Sequence, residues 1–138
     1  MVTSNDCLKK YGKPELEKGL VIWTIPKHLH IKTMPEKLYC NQDIIEPLTQ
    51  ALKNLIDRNL SDQLKTFDGC FNIRKMRGLL SMSLHSWGIA IDVNAAWNGL
   101  GKPSTLTPEF VKCFTDAGFD WGGTWLRKDA MHFQLKNI

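Results

Sequence analysis

Between Asn41 and about Leu60, apolar side chains fall at Ile44, Ile45, Leu48, Leu52, Leu55, Ile56 and Leu60. Spacings of three and four place them on one face of an amphipathic helix. Asn41 is a suitable cap for its first turn, because a short polar side chain can accept from the free amides there. This is the main core helix, and its apolar face has to be covered by the rest of the chain.

The covering elements are legible further on. Cys70–Arg74, after the Asp68-Gly69 turn signal, alternates and reads as a strand. Gly88–Asn94 alternates too, with Ile89, Ile91 and Val93 on one side and Ala90, Asp92 and Asn94 on the other. Thr107-Pro108-Glu109 starts a helix whose buried face is Phe110, Val111, Phe114 and Ala117, and Gly118 ends it. Met131–Leu135 is a last alternating strand. Residues 1–39 read as irregular or short extended segments around the apolar run Leu20–Trp23. The order predicts an α+β fold, an antiparallel sheet with helices packed on one face. A length of 138 residues, without repeat or linker, predicts a single domain over 1–138.

Composition narrows the function classes. With 43% hydrophobic and 23% charged residues the chain is built to bury a core, not to stay disordered. There is no run of about 18 apolar residues, so no membrane insertion is expected. The net charge of +4 is spread thinly, and no basic stripe with interleaved aromatics argues for nucleic acid. Cys7, Cys40, Cys70 and Cys113 include no CxxC pair, which predicts buried reduced thiols. The first residues lack the order of a secretory signal, so synthesis in the cytoplasm is expected.

Histidine is scarce, and two of the four histidines stand near acids: His85 with Asp92, and His132 with Asp129. In the last strand His132 and Gln134 share the face opposite Met131, Phe133 and Leu135. Asp92 likewise faces away from Ile91 and Val93, and a carboxylate there is costly unless paired, metal-bound or hydrated. Gly88 allows the backbone to turn, so that His85 converges on Asp92 despite its odd separation. Two imidazoles and one carboxylate make a zinc-binding set with a fourth position free for water. Asp129 is then free to take a proton from that water.

Ser83-x-His85-x-x-Gly88-x-Ala90-x-Asp92 resembles the SxHxxGxAxD signature of the zinc D-alanyl-D-alanine carboxypeptidase and L-alanyl-D-glutamate endopeptidase family. Trp121-Gly-Gly-x-Trp125-x-x-x-Asp129-x-Met-His132-Phe resembles its second motif, and Cys70–Arg74 resembles its upstream arginine segment. The likeness covers roughly 67–135. It implies a hedgehog/DD-peptidase-like fold, with His85, Asp92 and His132 as ligands of Zn2+ and Asp129 as general base. It further implies that Arg74 holds a substrate carboxylate or polarises the scissile carbonyl, and that Ser83 supports the metal site. Many carboxypeptidases of the family carry Glu where Asp129 stands; Asp is more similar to the phage and bacterial endopeptidase branch.

The resemblance thus implies a zinc peptidase acting on peptidoglycan stem peptides, an endolysin-like enzyme released to the cell wall through a holin and working as a monomer. The alternatives are a D-alanyl-D-alanine carboxypeptidase or dipeptidase and, in another class, a non-catalytic zinc-stabilised binding domain. Arg77 is the alternative to Arg74, with opposite strand parity. His28 and His30 read as exposed loop residues. Trp87, Trp97, Trp121 and Trp125 crowd the motifs, either as groove walls or as core.

Overall fold

The computed structural model describes residues 1–138. Helix α1 spans Ser4–Tyr11, followed by strands β1 (Leu20–Thr24) and β2 (Lys37–Asn41) and the long helix α2 (Gln42–Asp57). Then come β3 (Phe67–Gly69), β4 (Ala90–Val93), α3 (Pro108–Thr115), β5 (Phe119–Trp121) and β6 (His132–Leu135). Strands β1 and β2 form an antiparallel pair, and the other four form an antiparallel sheet in the order β3-β4-β6-β5. This is an α+β architecture, as the order of patterned segments predicts. No helix is long and apolar enough to cross a membrane.

Both predicted helices form with their predicted starts. Asn41 Oδ1 accepts from the Asp43 amide at 2.9 Å, and Thr107 Oγ1 accepts from the Phe110 amide at 3.2 Å. The buried side of α2 is Ile44, Leu48, Leu52 and Leu55. Phe114 of α3 stacks on Phe133 of β6 with ring centroids 4.5 Å apart, which fastens the helical layer to one face of the sheet. The opposite face of β4 and β6 is left for polar side chains.

Two segments depart from the sequence reading. Helix α1 forms within the stretch read as irregular, started by a reciprocal cap in which Thr3 and Asp6 satisfy each other's amides. Cys70–Arg74 is not a strand: β3 ends at Gly69, where the register with β4 shifts. The segment runs beside the 3-10 turn Leu84–Trp87 instead of a strand, and mixed contacts replace a ladder. The Asn72 amide donates to His85 O, the Arg74 amide to Ser86 Oγ, and Ser86 Oγ to Arg74 O. Alternation reports which side is buried and leaves the identity of the hydrogen-bonding neighbour open.

The four cysteines are free and buried, as expected. Burial pushes the Cys7 thiol up to about 12 and the Cys40 thiol up to about 11, so neither supplies thiolate near neutrality.

Gly88 sits at the hinge between the 3-10 turn and β4. Its φ is +69°, and a Cβ there would lie 2.8 Å from the Asn41 backbone nitrogen, whose amide donates to Gly88 O. Gly88→Ala is therefore expected to destabilise the fold by about 2–4 kcal/mol, combining a left-handed side-chain penalty with overpacking. A shift of the urea midpoint at constant slope would register it.

Candidate metal centre and cleft

The register of the sheet creates the site. Asp92 on β4 is the direct cross-strand partner of His132 on β6, so the two side chains stand together on the face opposite Phe133. His85 arrives from the 3-10 turn, whose capping residue Ser83 accepts the His85 amide on Oγ at 3.3 Å. Gly88 then turns the chain into β4. His85 Nε2 lies 3.2 Å and His132 Nδ1 3.4 Å from Asp92 Oδ1, and the two rings meet edge to face at 5.1 Å. Both imidazoles are buried.

The outward nitrogens are already spoken for. His85 Nδ1 lies 2.7 Å from Cys70 O, which only accepts, so Nδ1 carries the hydrogen and Nε2 is bare. His132 Nε2 lies 2.9 Å from Gln134 Oε1, while the other end of the same amide donates to Val2 O. That fixes which way the amide faces, puts a hydrogen on Nε2 and turns Nδ1 toward Asp92, where it offers a lone pair once the ring is neutral. Two lone pairs and a carboxylate thus converge on one point, all within 4.8 Å of one another. His85 Nε2 and Asp92 Oδ1 are buried without a hydrogen-bond partner. A divalent cation satisfies all three groups at once, and the residues fit one.

The same groups also interact strongly with one another without a cation. Burial works to raise the Asp92 carboxyl, but its contacts with His132 and His85 outweigh that and hold it well below the usual carboxylate range. Burial opposes charge on His132, yet Asp92, Asp129 and Gln134 together raise it above its ordinary value. Asp129 is raised chiefly by burial, with neighbouring Asp92 adding to the effect and His132, His85 and Arg74 opposing it.

Asp129 comes from the loop between β5 and β6, with Oδ2 4.0 Å from His132 Nδ1. The loop is tight: the Asp129 amide donates to Gly122 O, the His132 amide to Asp129 O, and a Cβ on Gly122 would stand 2.5 Å from Asp129 O. Arg74 places Nη2 4.0 Å from Asp92 Oδ2, whereas Arg77 lines the same cleft, exposed. The structure therefore gathers His85, Asp92, His132, Asp129 and Arg74 in one place, with Ser83 behind His85. The cleft above them measures about 380 Å³ and is walled by Met76, Leu79, Leu100 and Trp125.

Of the tryptophans at the motifs, only Trp125 lines this cleft, its ring 5.3 Å from that of His132. Trp87 is core, with Nε1 donating to Gly12 O, and Trp121 packs over Phe133. Trp97 is partly exposed beneath Lys65. His28 and His30 are exposed, as expected.

Two contributors were not singled out from sequence: the Cys70 carbonyl and Gln134. Gln134 was within reach, because it is two residues from His132 on the same strand face. Gln134→Met is expected to weaken divalent-metal affinity by about 10–100-fold, since it frees the His132 tautomer. Competition against a chromophoric chelator would measure it.

The family model described as D-alanyl-D-alanine carboxypeptidase matches residues 77–135, the stretch that contains His85, Asp92, Asp129 and His132. No curated protein and no solved structure gives a significant match.

Proposed function

We propose that this chain, of which residues 77–135 match the D-alanyl-D-alanine carboxypeptidase family, is a zinc endopeptidase of peptidoglycan stem peptides, resembling L-alanyl-D-glutamate endolysins. The observation that carries the metal part of this reading is the convergence of two imidazole nitrogens on a buried, unpartnered carboxylate oxygen. His85, Asp92 and His132 would hold the ion. Bound there, zinc supplies Lewis-acid polarisation of a carbonyl and acidifies water, and a three-ligand N2O set leaves a coordination position for that chemistry.

The chain's own groups do the rest. Asp129 stands beside His132 and accepts the proton of the attacking water at its carboxylate, then passes it to the departing amine. The carboxyl of Asp129 is raised by burial, which makes it a stronger base than an exposed Asp. Arg74 holds its guanidinium beside the site, where it offsets negative charge growing on the carbonyl oxygen or grips a substrate carboxylate. Trp125 and the apolar wall of the cleft orient the peptide and displace bulk water.

The endopeptidase reading is favoured over a carboxypeptidase by Asp129 in the place where many carboxypeptidases of the family carry Glu. Mass spectrometry of purified peptidoglycan digested by the metal-loaded protein tests it. New termini at L-alanyl-D-glutamate bonds are expected. Release of D-alanine alone would move the assignment to a carboxypeptidase, and no release at all would favour a non-catalytic metal-stabilised domain.

A further inference from the structure

Helix α1 and its flanks lie outside the stretch that matches the peptidase family, yet they bond to both segments that carry the imidazoles. Just before the helix, Val2 O accepts from Gln134 Nε2 at 3.4 Å, and at its first residue Ser4 Oγ donates to Met82 O at 2.6 Å. Just past its end, Gly12 O accepts from Trp87 Nε1 at 2.8 Å. Met82 precedes Ser83, the cap of the His85 turn, and Trp87 closes that turn. The N-terminal segment thus holds the turn at both ends and reaches the strand of His132 as well. Buried Cys7 and Tyr11 fasten the helix to the core, so its ties are anchored.

Each tie bears on where a nitrogen points. A 3-10 turn of four residues has few and poorly aligned bonds of its own, so the pitch of His85 depends on what grips the turn's ends. For His132 the dependence is one of tautomer. Gln134 Oε1 faces His132 Nε2 while the other end of the amide has an acceptor, and Val2 O is that acceptor. Turned over, the amide would offer N–H to Nε2, favour hydrogen on Nδ1 and withdraw the lone pair aimed at Asp92.

We propose that the N-terminal segment is a clasp that positions the metal centre. Val2 O sets the His132 tautomer through Gln134, while Ser4 and Gly12 set the placement of the His85 turn. All three are positioning residues that act through others. This rests on the reading that His85, Asp92 and His132 hold a cation.

Thr3 caps α1 between Val2 and Ser4, so Thr3→Ala loosens the clasp where it grips, and Ser4→Ala removes one tie outright. Thr107→Ala removes a comparable cap from α3, on the face of the sheet opposite the metal centre. Affinity for Zn2+ alone is measured by competition with a chromophoric chelator. Thermal midpoints and imidazole tautomers, the latter from long-range 1H–15N NMR at alkaline pH, are measured on the metal-free chains. Thr3→Ala and Thr107→Ala should lower the midpoint alike. A chain that stays folded loses no affinity through global stability alone, so Thr107→Ala should bind zinc as the native chain does. Thr3→Ala and Ser4→Ala should each weaken binding by about three- to tenfold, less than loss of a direct ligand partner, because the ties act one bond further out. In the double variant Thr3→Ala/Ser4→Ala, His132 should show both tautomers, against Nε2–H alone in the native protein. Ser4→Thr keeps the hydroxyl and should restore native binding.

Native zinc affinity in the double variant overturns the clasp, as does equal weakening by Thr107→Ala. A native chain that takes up no divalent ion removes the metal reading instead. The imidazole spectra then decide alone: mixed His132 tautomers in the double variant uphold the clasp, and a single unchanged tautomer overturns it.

Discussion

Asp129→Asn is expected to lower kcat/KM for peptide cleavage by about 10²–10⁴-fold while metal content and thermal midpoint stay near those of the native protein. The substitution keeps the shape and removes the proton acceptor. Nothing else in the loop depends on the charge, because the Asp129 backbone, not its carboxylate, makes the bonds to Gly122 and His132. Steady-state kinetics beside metal analysis of the same samples checks both halves. A variant that cleaves at the native rate removes Asp129 from the chemistry; one that loses its metal makes it a structural residue.

The same residue sets an expectation for pH. A base must be deprotonated to act, and burial raises the Asp129 carboxyl above its ordinary value. In excess metal, the acidic limb of kcat/KM should therefore lie above the ordinary carboxylate pKa of about 3.9, with activity lost as pH falls through it. The residual activity of Asp129→Asn should lack that limb.

His132→Ala should cost the metal itself. Removal of one of three ligands is expected to weaken affinity by at least about a hundredfold, more than loss of an outer-shell partner usually does. Competition with a chromophoric chelator measures it. The native protein should also melt at a lower temperature after chelation, because a ligand that binds only the folded chain stabilises it, and His132→Ala should show no such response. Unchanged stoichiometry and affinity in the variant would place the cation elsewhere.

Protons compete for the same nitrogen. Asp92 and Asp129 raise His132 above its ordinary value in the metal-free protein. Below that raised pKa the ring holds a proton that a cation must displace. Metal affinity should accordingly fall by up to about tenfold per pH unit for each proton displaced as the pH drops through that region.

Much of this arrangement is legible in the sequence. The helical rhythm from Ile44 to Leu55, the Asn41 and Thr107 caps, and the alternation around Ile91 and Phe133 appear where expected, although the helix ends at Asp57, short of Leu60, and leaves Ile56 exposed. These signals are local, because a helix face or strand face is set by neighbours within a few residues. Helix α1 is hard to see in the sequence although Thr3 and Asp6 carry a capping pair, because the helix is short and its apolar face is sparse. Cys70–Arg74 alternates like a strand and is not one, because its backbone partners lie on the Leu84–Trp87 turn and not on a neighbouring strand.

For the site, residue types and spacing singled out His85, Asp92, His132 and Asp129 as a group, and strand parity put Asp92 and His132 on the polar face. Sequence periodicity carries no information about which residues stand opposite one another on separate strands. The pairing of Asp92 with His132 came from the β4–β6 register. The orientation of the two imidazoles came from acceptors at Cys70 and Gln134. Those are distances between remote segments, settled only when the core packs and every buried polar group must find its partner.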